Sequence, residues 1–204
     1  TAWLRELNRA LYADDLGSTF RYYWELRPTF VQKALTGRTT WCDNTTTVQL
    51  ETCDQILENS LETALDFLES LYGDAPSTWR WGTAHRAQFL HPLLGQLPFI
   101  NKLANIVIEN DGGSFTINRG HHWIASEVDP FSNHHGPVFR AVYDLSRLDN
   151  SRFSQPTGQS GNPLSSRYSD FIERWRDGKY VRIPAARTEV LDNSIGILTL
   201  LPEK

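Results

Sequence analysis

The chain has 204 residues, 40% hydrophobic and 22% charged, with a formal net charge of −4 and a pI near 5.8. That length suits one domain or a large piece of one, with enough chain to bury a core. A weakly acidic sequence with no lysine or arginine tract excludes nothing about small substrates. It argues against nucleic acid and anionic membranes as partners, and no apolar run approaches the ~20 residues of a membrane span. The sequence contains no methionine and no signal-peptide pattern, so Thr1 is expected to be an internal or processed terminus.

Trp3, Leu4, Leu7 and Leu11 recur at helical spacing and predict a first amphipathic helix. A second helical segment is expected from about Ser18 to Leu35, carrying Phe20, Trp24, Phe30, Val31 and Leu35. Pro28 should break or kink it. The polar stretch WCDNTTTVQLETC follows, and its cysteines, Cys42 and Cys53, are the only two. Joined, they would close a short loop worth about 3 kcal/mol in the chain-entropy view and would point to an oxidising compartment. Two reduced, buried thiols are the other reading. Asn44-Thr45-Thr46 matches a glycosylation sequon.

Thr52 and Gln55 form a capping-box pattern. Leu57, Leu61, Ala64, Leu65, Leu68 and Leu71 then make one apolar face, and Gly73 stops the helix. Beyond about residue 80 the period changes. ANIVIENDGGSFTIN predicts a hairpin about Asp111-Gly112-Gly113. Pro137 to Leu145 reads as a strand, paired across an Arg147–Asn150 turn with a short strand near Ser151–Gln155. A loop from Gly158 to Pro163 leads into a helix with Tyr168, Phe171, Ile172 and Trp175 on one face, stopped by Gly178. GILTLL closes the chain as a buried strand. Helices first (1–80), then strands with one late helix (81–204), imply an α+β or layered αββα body within a single fragment.

Several residue types suggest chemistry. Gly158-Gln159-Ser160-Gly161 resembles a nucleophile elbow, but its second glycine comes one place early for G-x-S-x-G. A structural loop is the stronger reading. His121-His122 and His134-His135 invite a metal reading, yet neighbours on a strand face opposite ways and no carboxylate-histidine spacing supports it. His85 and His91 sit among aromatics and are expected to hydrogen-bond backbone. An N-terminal threonine can serve as its own nucleophile and base, but Thr1 opens a helical stripe.

Taken together, WRWGTAHRAQFLHPL (79–93), DGGSFTINRG (111–120), HGPVFRAVYDLSRLDNSRF (135–153), GQSGNPLSSRYSDFIERW (158–175) and DGKYVRIP (177–184) resemble, in order and spacing, the end of the β chain of the penicillin acylase (penicillin amidase) family. The ETCD segment around Cys53 resembles the branch of that family that carries a cysteine pair. The resemblance implies the C-terminal portion of a layered αββα N-terminal-nucleophile hydrolase fold, periplasmic or secreted. It implies an amidohydrolase cut from one precursor into α and β chains, whose β-chain N-terminal serine attacks an acyl carbonyl with its own α-amine as base. An asparagine side chain and backbone would hold the oxyanion. N-acyl compounds, such as β-lactam side-chain amides or acyl-homoserine lactones, would be the substrates.

The nucleophile, the oxyanion asparagine and the calcium ligands of that family belong to segments not in this sequence. The resemblance therefore places no catalytic residue and no metal ligand here, and makes the remaining β chain and the α chain the partners. Asp144 is the one candidate for an indirect supporting role in catalysis, against the simpler role of capping a turn. A non-catalytic binding module of the same fold is the alternative function, and a self-sufficient hydrolase using Ser160 is a third.

Overall fold

A computed structural model of the chain describes residues 1–37 and 39–202. In chain order the helices are α1 (Ala2–Leu16), α2 (Phe20–Tyr23), α3 (Pro28–Gly37), α4 (Cys53–Tyr72) and α5 (Trp81–Ala84), then strand β1 (Arg86–Phe89), helix α6 (Asn101–Ala104) and strand β2 (Ile106–Glu109). Strands β3 (Arg140–Val142) and β4 (Arg152–Ser154), helix α7 (Ile172–Arg176), strand β5 (Val181–Arg182) and helix α8 (Arg187–Asp192) follow. β1 and β2 form a two-stranded sheet and β3-β4-β5 a three-stranded one. The fold is α+β, and the chain divides into two compact units.

The first unit comprises Thr1–Ala87, Glu109–Thr116 and Gly120–His135. Its core is Leu7, Leu11, Tyr12, Val31, Ala34, Cys42 and Ile56, drawn from α1, α3 and α4 and from the turn that carries Cys42. Pro28 opens α3, where a missing N–H costs nothing, so the expected second helical segment is two helices. α4 begins on the expected box: the Thr52 hydroxyl accepts the Gln55 N–H at 3.3 Å and the Gln55 side chain accepts the Thr52 N–H at 2.9 Å. It ends at Gly73, whose φ of 86° suits glycine. A disulfide joins Cys42 to Cys53 with 5.0 Å between their α-carbons, tying the turn to the first residue of α4.

The apolar face of α4 departs from expectation. The helix buries Ile56, Ser60 and Ala64, while Leu61 and Leu65 are nearly half exposed. The stripe is wider than the surface α1 offers it, and α1 covers only one edge.

Arg5 is the most buried charge of this unit. Its guanidinium pairs with buried Glu6, and its Nε donates to the Ile124 carbonyl at 2.7 Å. The rings of Trp24 and Phe67 each lie 4.2 Å from its central carbon, so both the charge and the faces of the fork are satisfied.

The second unit comprises Gln88–Ile108, Ile117–Arg119 and the chain from Gly136 onward. β3 and β4 pair antiparallel, Arg140 opposite Ser154, and β5 continues on β4 with Val181 opposite Phe153. The pairing across the Arg147–Asn150 turn is as expected, but β3 is three residues, not the full Pro137–Leu145 run. Trp175 anchors the unit: it is 2% exposed, packs edge-on against Phe89 at 5.5 Å, and its Nε1 donates to the Pro137 carbonyl at 2.9 Å.

Three expectations for the strand-rich half are corrected. The hairpin about Asp111-Gly112-Gly113 does not form, because β2 pairs with β1 and the residues beyond Gly113 turn instead: the Gly120 N–H returns to the Gly113 carbonyl at 3.1 Å. The late helix is five residues, Ile172–Arg176, with Tyr168 and Phe171 before it. Turns precede it instead: the Tyr168 N–H reaches the Ser165 carbonyl at 3.0 Å. GILTLL is neither strand nor buried, since no strand among the described residues pairs with it.

Candidate functional site

The loop from Gly158 is built by backbone. Gly158 N–H donates to the Tyr168 carbonyl and Ser160 N–H to the Arg167 carbonyl, both at 3.0 Å. These bonds bring Gly158 so close to residue 167 that a Cβ there would overlap the Arg167 carbonyl. Glycine is required here for close approach, since Gly158 has an ordinary φ. Gly161 faces open space.

Two side chains clamp the same loop. His91 Nδ1 accepts the N–H groups of Leu93 and Leu94 at 3.2 and 3.1 Å, which places the ring proton on Nε2, and Nε2 donates to the Gly161 carbonyl at 3.2 Å. The Tyr168 hydroxyl donates to the Ala104 carbonyl. Gln159 reaches Gln155 at 3.0 Å. The Ser160 hydroxyl accepts the Asn162 N–H at 3.1 Å, and among the described residues it has no histidine or carboxylate partner. Nothing in this geometry would take its proton.

Asp144 follows β3, two residues past its end, in a closed turn. Its Oδ1 accepts from the Ser146 hydroxyl at 2.6 Å, the Ser146 N–H at 2.9 Å and the Arg147 N–H at 3.1 Å. The Ser146 hydroxyl foremost, with these backbone donors, holds the carboxyl below the usual carboxylate range. Oδ1 is committed to the turn, while Oδ2 meets only the Asn150 amide at 3.4 Å.

In the first unit the histidines gather around aromatic rings. His85 Nδ1 donates to the Phe131 carbonyl at 2.6 Å, and Trp81 stacks on its ring at 4.7 Å. His122 lies edge-on to both, 5.5 Å from His85 and 5.8 Å from Trp81. Burial, and then the neighbouring His85, push His122 down to about 4, and burial lowers His85 too. Both rings are therefore neutral near pH 7. A side chain at Gly120 would strike His85 Nε2, so the last glycine of the DGGSFTINRG string seats this ring.

His121 pairs backbone with His135 in an isolated bridge. Among the described residues no group of three or more His, Cys, Asp or Glu side chains could hold a metal ion. Thr1 stands before α1 beside a cavity of about 310 Å³ lined by Trp3, Leu68, Tyr72, Trp79, Trp81 and Phe131. It does not open a buried strand. Among the described residues no helix is long and apolar enough to cross a membrane.

His85 and His91 hydrogen-bond backbone as expected; what sequence reasoning missed is that His91 reaches Gly161 and that Gly120 seats His85. The signal for both was already in the strings: a glycine directly before paired histidines, and a histidine before Pro92.

What these residues share is support of backbone rather than reactive chemistry, and the strings they lie in are the ones that carry the resemblance. Residues 1–192 match the penicillin amidase family, and the chain belongs to it. It is 28% identical to the acyl-homoserine lactone acylase QuiP of Pseudomonas aeruginosa over 100% of this chain and 26% of that protein. To the acyl-homoserine lactone acylase QuiP of Pseudomonas syringae pv. tomato it is 30% identical over 89% of this chain and 23% of the relative. The penicillin acylase 2 proenzyme of Pseudomonas sp. (strain SE83) is 35% identical over 48% of this chain and 12% of that protein. The chain thus spans about a quarter of the length of the first relatives it matches.

Proposed function

We propose that residues 1–204 are the C-terminal portion of the β chain of an N-terminal-nucleophile amidohydrolase that cleaves the amide bond of N-acyl compounds, acyl-homoserine lactones or β-lactam side-chain amides. The observation that carries this reading is family membership across residues 1–192 by a chain spanning about a quarter of acylase relatives. The site geometry supports it. Among the described residues Ser160 has no base, the Asp144 Oδ1 caps its own turn, and the Gly158 loop is a backbone scaffold.

In this reading the nucleophile, its base, the oxyanion donors and any calcium ligands lie in the upstream β chain and the α chain. These residues supply the floor on which those segments rest. The layered αββα arrangement is completed only with those partners. The disulfide fits an oxidising compartment, and we assign the enzyme to the periplasm or the secreted fraction.

The test is to express the full-length precursor and residues 1–204 separately and assay each with an acyl-homoserine lactone and a chromogenic phenylacetyl amide. Processed full-length protein should turn over at least one of them, and 1–204 alone neither. Turnover by 1–204 that disappears in Ser160→Ala would move the chemistry into the loop. A full-length protein that binds these ligands without hydrolysing them would instead make it a binding module.

A further inference from the structure

The chain after α8 is unlike the rest of the molecule. From Ile195 to Leu201 it has no regular structure, and among the described residues none of these N–H groups meets a backbone carbonyl. Ile197, Leu198, Leu200 and Leu201 are 73%, 83%, 82% and 84% exposed, and Ile195 is fully so. No charged residue stands between Asp192 and Glu203. In an extended chain Ile195, Ile197, Thr199 and Leu201 would face one way and Leu198 and Leu200 the other. A strand open to water on one side alternates apolar with polar, whereas a run apolar on both sides belongs inside a sheet covered on both faces. Pro202 then ends the run, because it has no N–H to offer a ladder.

We propose that Ile195–Leu201 is an interior β-strand whose partner strands, and the layers over both its faces, come from the upstream part of the same precursor. The inference rests on the reading that this chain is one portion of a longer amidohydrolase. The relative aligned over this whole chain has about three quarters of its length outside the match, which is ample chain to build such a sheet. A second copy of this chain is the poorer occupant. Pairing two such strands would satisfy backbone groups along one edge but would leave both apolar faces in water. Left unpaired, a run of this composition is a template for aggregation.

Hydrogen exchange read by mass spectrometry tests this on the mature full-length enzyme and on residues 1–204 alone. The amides of 195–201 should exchange at least about 100-fold more slowly in the assembled enzyme than in 1–204. Ile197→Asp and Leu198→Asp, on opposite faces, should each lower the yield of assembled enzyme, while Thr199→Val should leave it unchanged. Exchange in the assembled enzyme as fast as in an unstructured peptide overturns the inference. So does tolerance of aspartate on either face, and so does protection of 1–204 alone that rises with its concentration. Amide hydrolysis is scored separately: an active enzyme with an unprotected tail sinks this inference only, and a protected tail in a protein without hydrolysis sinks the functional reading only.

Discussion

The two units solve the same problem by different means. The first is held from inside: an aliphatic and aromatic cluster between helices, a disulfide at its edge, and a buried arginine whose every face is occupied. The second has one large anchor, Trp175, a row of rings from Phe139 through Phe153 to Phe171, and otherwise backbone bonds and turns. Its β3 region leaves Val138, Phe139, Val142, Tyr143 and Leu145 exposed. A unit that closes on its own core can be read as a folding base. Contiguous exposed apolar surface is the kind of surface that marks interaction sites. The strings carrying the family resemblance run through both, so family membership does not follow from either kind of stability.

The contrast is broken most severely by removing the first unit's internal charge. Arg5→Met leaves buried Glu6 with only the half-exposed Arg9, 3.8 Å away, as a cation and should cost about 3 kcal/mol. The double change Arg5→Met with Glu6→Gln should recover most of that loss. Thermal and urea unfolding of the assembled enzyme measures both, and a double variant no better than the single would show that the pair itself is not what the core needs.

The histidine cluster gives the next effect, and its sign follows from burial. His122 titrates near 6.5 unfolded and about 4 folded, so between these values the unfolded chain binds the extra proton. Stability is then full above about pH 6.5 and falls as pH drops toward 4. The loss amounts to about 3 kcal/mol if His122 keeps its burial throughout. His85, lowered in the same direction, adds to it. Unfolding midpoints measured from pH 7.5 to 4 should show this slope, and His122→Leu should flatten it. An unchanged slope in that variant would place the acid sensitivity elsewhere.

The smallest effects distinguish geometry from chemistry in the second unit. Gly158→Ala forces a side chain against the Arg167 carbonyl and should cost about 1–3 kcal/mol. Gly161→Ala meets nothing and should stay within about 0.5 kcal/mol. Ser160→Ala loses one acceptor for the Asn162 N–H and should cost at most about 1 kcal/mol. Turnover per folded enzyme should be the same in all three. Loss of turnover in Ser160→Ala, with stability and processing intact, would return that serine to the chemistry.

Much of the helical half was legible because its signals are local. Thr52 and Gln55 sit three apart and make their reciprocal bonds in one turn, and Pro28 and Gly73 act through their own backbones. The strand half was read less well because a strand is defined by its partner. Asp111-Gly112-Gly113 has hairpin chemistry, but β2 found β1, and the residues after Gly113 folded back on themselves. The role of the Gly158 loop was legible as scaffold from its glycines. Which glycine mattered was not, since the constraint at Gly158 comes from Arg167, nine residues on.

By itself the sequence determined both ends of α4, the break at Pro28, the α+β class and the family, because capping, proline geometry and ordered motif strings depend on near neighbours in the chain. Only the tertiary structure decided that α4 turns Leu61 and Leu65 toward solvent. It also set Gly120 against His85, His91 against the Gly161 carbonyl, and left the apolar run after Asn193 without a partner. Each of these depends on which surfaces meet across long stretches of chain. No local pattern encodes that, because burial is a property of the pair of surfaces and not of either one alone.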